Sequence, residues 1–280
     1  MKLRLFGQEQ VKLKKILTIV MVTALSAITS ISCNRNEDVL VTEIGVSPPN
    51  RRVVQTSQGG NLYVQGKNQH VRGDLQGAIA SYNQALEVDP EYSAAYKGRG
   101  LAYFDQGDKQ RAIADYNQAI SLAADDAEAY NSRGNALASL GDHQRAIADY
   151  NEAIRISPNY AEAYNNRGNA RVTQGDINGA LDDFNQAIRL DSRYAIAYNN
   201  RGNARAAQGD REGAIADYNQ AIRLNSNFGP AYNNRGNARA AQGDRQGALQ
   251  DLRQAASIFD NQNNRDLYQQ VMNNISELGQ

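Results

Sequence analysis

From residue 59 almost to the C-terminus, apolar and small residues recur at spacings of three and four, and that pattern is itself repeated. GAIASYNQAL at 77–86 returns as RAIADYNQAI at 111–120, RAIADYNEAI at 145–154, GALDDFNQAI at 179–188, GAIADYNQAI at 213–222 and GALQDLRQAA at 247–256, each step being 34 residues. Upstream of these blocks lie YNSRGNALASLGD, YNNRGNARVTQGD and, twice, YNNRGNARAAQGD. Within a unit the apolar or small places are the fourth, eighth, twentieth, twenty-fourth, twenty-seventh and thirtieth. Spacings of three and four bring side chains onto one face of a helix, so each half of a unit is predicted to be an amphipathic helix. Gly-Asp closes the first half of every unit, as at Gly141-Asp142. Glycine suits a left-handed helix end, and aspartate can accept from the free N–H groups that open the next helix.

Six units fill 59–262, at 59–92, 93–126, 127–160, 161–194, 195–228 and 229–262. Their pattern resembles the tetratricopeptide repeat family. Gly134 and Ala146, with their equivalents in other units, match that family's small positions, while the fourth position carries Tyr96, Tyr130, Tyr164, Tyr198 and Tyr232 in place of the more usual Trp. The resemblance implies an all-α fold, a right-handed superhelical solenoid of six 34-residue helix-turn-helix repeats. The segment NRDLYQQVMNNISEL, with Leu267, Val271, Ile275 and Leu278 on one stripe, is predicted to be a C-terminal capping helix within 263–280.

The N-terminal part has a different pattern. After Lys15 come 19 uncharged residues, ILTIVMVTALSAITSISCN, densest in apolar side chains at Ile16–Val22 and tapering into small ones. Residues 1–33 carry Lys2, Arg4, Lys12, Lys14 and Lys15 against Glu9, a balance of +4. This is the layout of an export signal. With Ser32 before the sole cysteine, Cys33, it resembles a bacterial lipoprotein signal, which implies that Cys33 is lipidated and faces the periplasm. Cleavage at Ser30-Ile31-Ser32, giving a secreted chain, and retention as an N-terminal membrane anchor are the alternatives. Residues 34–58 show no sustained period, contain Pro48-Pro49 and read as a flexible linker with a short extended stretch at Val39–Val46.

Composition then narrows the chemistry. The chain has 30 Lys+Arg and 30 Asp+Glu, so its zero net charge offers no electrostatic case for nucleic acid. One Cys and two His (His70 and His143) cannot form an internal disulfide or a thiolate–imidazole zinc site. No nucleophile elbow, phosphate loop or metal-ligand spacing is present, so no catalytic residue, metal, cofactor or small-molecule substrate is expected, and the protein is read as not an enzyme.

Two recurring sets remain. Arg99, Arg133, Arg167, Arg201 and Arg235 at the seventh position match Asp115, Asp149, Asp183, Asp217 and Asp251 at the twenty-third, and the first unit lacks both, having Gln65 and Ser81. Joint presence and absence suggest a structural Arg–carboxylate ladder between helices, with an anion-binding Arg row as the alternative. The second set is Asn131/Asn135, Asn165/Asn169, Asn199/Asn203 and Asn233/Asn237, at positions five and nine of four successive first helices. In the family these helices line a concave groove. Side-chain amides match the donors and acceptors of an extended peptide, and the row resembles the asparagine ladders of peptide-holding superhelices. The alternative is that these residues only solvate the groove. In the first two units the same places hold Tyr63, Lys67, Lys97 and Leu101, so Lys67 and Lys97 join the candidate groove set as a second anchoring point.

The resulting expectation is a non-enzymatic scaffold of the cell envelope. It would bind peptide segments of envelope proteins in its groove and attach to a membrane through a lipid or N-terminal anchor. A purely structural or self-assembling solenoid is the alternative.

Overall fold

The computed structural model describes residues 58–279. The signal segment, Cys33 and the linker up to residue 57 lie outside the described residues. Among those described there are thirteen α-helices and no strand: α1 (Gln58–Val71), α2 (Leu75–Val88), α3 (Ser93–Gln106), α4 (Lys109–Leu122), α5 (Ala127–Ser139), α6 (His143–Ile156), α7 (Ala161–Thr173), α8 (Ile177–Leu190), α9 (Ala195–Ala207), α10 (Arg211–Leu224), α11 (Gly229–Gln242), α12 (Arg245–Asn261) and α13 (Arg265–Gly279).

Two compact units divide the described chain, one ending at Asp142 and the other starting at His143. In the first, α1 pairs with α2 and α3 with α4, and α2–α3 and α4–α5 join the pairs. In the second, α6 packs on α7, the pairs α7–α8, α9–α10 and α11–α12 follow, and α13 lies against α12. Each unit is thus a stretch of helical solenoid in which an element touches only its near neighbours.

Helix ends obey local chemistry. Asp74, Asp108, Asp176, Asp210 and Asp244 each cap a second helix by accepting from the backbone N–H three residues on, at 2.9–3.0 Å. The preceding glycine is left-handed, as at Gly209 with φ of 88°, a conformation that costs glycine nothing. The pairs are held by small residues against rings. Ala78, Ala112, Ala180, Ala214 and Ala248 are wholly buried, as are Ala85, Ala119, Ala187, Ala221 and Ala255. Tyr82, Tyr116, Phe184, Tyr218 and Leu252 fill the space between helices. The eighth position must be glycine because a Cβ at Gly202 would lie 2.6 Å from Cε1 of Tyr218.

The C-terminal end departs from the repeat. Helix α12 runs for 17 residues where the other second helices have 14, because apolar positions continue through the buried Ile258 and Phe259 without a breaker. Asn263 turns the chain with φ of 54°, and α13 lays Val271 into a cluster with Leu252, Ala255, Ala256 and Phe259, flanked by Leu267, Tyr268, Ile275 and Leu278.

Candidate functional site

The arginines of position seven sit in a built cradle. Arg99 donates from Nε and Nη2 to Asp115 at 2.8 and 2.7 Å, and its Nη1 donates to Asn83 Oδ1 of the preceding second helix at 2.6 Å. The same arrangement recurs for Arg167 with Asp183 and Asn151, Arg201 with Asp217 and Asn185, and Arg235 with Asp251 and Asn219. Arg133 donates to Asn117 Oδ1 at 2.8 Å, and Asp149 belongs to the other compact unit. Each guanidinium also lies over the Tyr three residues earlier, Arg201 being 5.4 Å from the Tyr198 centroid. In the last three repeats a second cation joins: Arg171, Arg205 and Arg239 donate to Asp183, Asp217 and Asp251 at 2.8–2.9 Å. The carboxylates are buried, and planar bidentate pairing with further donors is the geometry that tolerates such burial. The Asp115 carboxylate raises the Arg99 guanidinium further above its ordinary range. In the first repeat a neutral bond replaces the ions, Ser81 Oγ donating to Gln69 Oε1 at 2.7 Å.

Position five is likewise internal. Asn165 and Asn199 are 2% and 0% exposed, and their amides belong to one continuous chain. Asn233 Nδ2 reaches Asn234 Oδ1 at 3.5 Å, Asn234 donates to Asn199 at 3.0 Å, and Asn199 reaches Asn200 at 3.4 Å. Asn200 then donates to Asn165 at 2.9 Å, and Asn165 reaches Asn166 at 3.3 Å. The short bonds cross between repeats and the long ones join sequence neighbours. The position-five amides therefore stitch α7, α9 and α11 together, and Asn131 is buried as well. At the C-terminal end the chain stops. Asn233 Oδ1 is buried without a hydrogen-bond partner among the described residues.

Position nine differs. Asn135, Asn169, Asn203 and Asn237 are half-buried. Tyr218 Oη donates to Asn203 Oδ1 at 2.8 Å, and burial pushes that phenol far above its usual range. The NH2 of Asn203 has no partner among the described residues. In the preceding repeat the ring is Phe184, which has no hydroxyl, and the Asn169 amide has no side-chain partner among the described residues. Asn237 Oδ1 takes a 3.5 Å contact from Asn274 of α13, while its Nδ2 is buried and unpaired among the described residues.

The N-terminal end is charged and apolar rather than amide-lined. Burial lowers the Lys97 ammonium's affinity for its proton, but hydrogen bonds to Asp126 at 2.8 Å and Glu128 at 2.6 Å outweigh it, so its pKa is raised. Lys67 is exposed. His70 Nε2 meets Asp105 Oδ2 at 2.7 Å, and Leu101 is 43% exposed. Among the described residues no group of three or more His, Cys, Asp or Glu could hold a metal, and no helix is long and apolar enough to cross a membrane.

Sequence reasoning passed over the position-25 asparagines and the second arginines. A signal was present: Asn83, Asn117, Asn151, Asn185 and Asn219 occupy units one to five while position-seven Arg occupies units two to six. That offset of one unit marks a contact across the repeat boundary.

A family model described as TPR repeat matches residues 60–107, 100–141, 134–175, 168–209 and 202–243, well over half of the chain. Among solved structures, MamA is similar with 27% identity and a TM-score of 0.52, over 57% of this chain and 94% of that one. YrrB, described as a TPR protein with an unusual peptide-binding site, shares 24% identity with a TM-score of 0.50, over 61% and 88%. Pseudomonas aeruginosa PilF shares the fold with a TM-score of 0.66 at 16% identity, over 77% and 97%. No curated protein matches the chain in sequence.

Proposed function

The chain belongs to the tetratricopeptide repeat family, whose helical scaffolds typically serve protein–protein interaction, and from that premise we propose a non-enzymatic adaptor of the bacterial cell envelope. It is exported, held at a membrane through a lipidated Cys33, and binds peptide segments of partner proteins along the face formed by its first helices. The observation that carries the peptide reading is the position-nine row. Asn169 and the NH2 of Asn203 keep hydrogen-bonding capacity on corresponding faces of successive first helices, where the neighbouring arginines, aspartates and position-five amides are already paired. An amide offers one donor group and one acceptor, the same complement as a peptide unit. That YrrB is described as having a peptide-binding site agrees with this use of the fold. The basic, apolar, Cys-terminated leader supports the envelope assignment.

The test is in-cell crosslinking from the first-helix face, followed by mass spectrometry. Asn169→Ala with Asn203→Ala should lose the crosslinked partner while the protein stays folded. The same partner at undiminished yield would remove the groove reading. For the anchor, Cys33→Ser should release the protein from the membrane fraction.

A further inference from the structure

The position-nine row changes character in the first compact unit. It begins with Lys67 on α1 and Leu101 on α3, and asparagine stands there in every later repeat. One contact fixes how α1 and α3 sit side by side: His70 at position twelve meets Asp105 at position thirteen of the next repeat at 2.7 Å. Positions nine and twelve share a helical face, so Lys67 and Leu101 stand on adjoining helices of one surface.

That surface carries one available cation. Lys67 is exposed, α1 contains no acidic residue, and no carboxylate pairs with Lys67 among the described residues. Lys97, one repeat on, is already held by Asp126 and Glu128 at 2.8 and 2.6 Å, and Asp105 is taken by His70. Apolar side chains border the cation. Val71, one turn along α1 from Lys67, is 69% exposed, and Leu101 is 43% exposed. A single ammonium set in apolar surface is complementary to a single carboxylate accompanied by an apolar side chain.

We propose that this end of the groove selects peptide segments in which one acidic side chain lies two to four residues from an aliphatic one. The carboxylate pairs with Lys67 and the aliphatic side chain rests on Leu101. The proposal builds on the peptide-binding reading above and gives it a sequence preference: asparagine amides match any peptide backbone, whereas Lys67 and Leu101 meet side chains. Packed helices lie about 8–10 Å apart, the length of about three residues of extended chain, which sets the spacing. Two adjacent carboxylates are not required, because Lys97 draws both of its acids from its own chain.

The test is selection of a random dodecapeptide library, displayed on phage, against the immobilised full chain. Asp or Glu two to four residues from Leu, Ile, Val or Met should be enriched about 5-fold or more over the unselected library, the worth of one exposed ion pair. Lys67→Glu should exchange the selected acid for Lys or Arg. Leu101→Gln should remove the aliphatic preference and keep the acid. Both side chains are exposed, so urea midpoints should match the parent. Selected peptides that lack the acid–aliphatic pair, or that keep the acid against Lys67→Glu, overturn the proposal. If their capture still depends on Asn169 and Asn203, peptide binding in the groove stands without it. Recovery no better than on a blank surface overturns both.

Discussion

Replacing Asn199 by Ala separates the two asparagine rows by their energetics. Asn199 is wholly buried, accepts from Asn234 Nδ2 at 3.0 Å and reaches Asn200 Oδ1 at 3.4 Å. Truncation leaves the Asn234 donor, on a residue only 4% exposed, without its acceptor. A buried unsatisfied group costs about 1–3 kcal/mol, and loss of the long second bond adds roughly 0.5. The void left by the amide adds about 1 kcal/mol, giving a loss of about 2.5–4.5 kcal/mol. Asn169→Ala, in the preceding first helix, removes no side-chain hydrogen bond because Phe184 has no hydroxyl, and should stay within about 0.5 kcal/mol of the parent. Urea unfolding followed by circular dichroism compares the variants, and native-state hydrogen exchange checks that the loss is centred on α7–α11. Equal effects at the two sites, or a loss below 0.5 kcal/mol for Asn199→Ala, would refute the assignment of position five to inter-repeat bonding. In the proposed function, Asn169→Ala acts on partner capture and Asn199→Ala on stability.

Three further outcomes follow from the packing. Asp217→Ala leaves Arg201 and Arg205 half-buried without the carboxylate they share, and should cost about 3–5 kcal/mol in the same denaturation experiment. Gly202→Ala forces a methyl against the Tyr218 ring, with Cβ 2.6 Å from Cε1, and should lower stability by about 1–3 kcal/mol in thermal or urea melts. Burial pushes the Tyr82 phenol from 10.0 to about 12, so its neutral form is favoured in the folded protein. Its contribution is complete below pH 10 and is lost between about pH 10 and 12, with a slope of about 1.4 kcal/mol per pH unit. Tyr116, Tyr150 and Tyr218 are raised as well, chiefly by burial, so the alkaline decline should be steep, and Tyr82→Phe should flatten it by one residue's share.

The elements were readable because they are local. A 34-residue period, spacings of three and four, and a Gly-Asp punctuation mark require only helix geometry and capping, and the helices are found where that chemistry places them. The apolar stripe Leu267, Val271, Ile275 and Leu278 likewise marked α13, since one buried face is visible in a single strand of sequence. The prolonged α12 was less legible, because Ile258 and Phe259 extend it by packing rather than by any start or stop signal.

The sequence by itself determined the repeat, the helix ends, the small-against-ring core and the identity of the polar residues that recur. Which polar residues are internal and which stay available was decided by the tertiary structure. Asn165 and Asn169 are the same residue type on one helix, four positions apart, and nothing local distinguishes them. The first is enclosed because Asn200 of the next repeat donates to it; the second keeps its amide because the ring facing it is Phe184 rather than tyrosine. A hydrogen bond between repeats depends on groups 35 residues apart in the chain and under 3.5 Å apart in space, and only the folded arrangement of neighbouring helices fixes that distance.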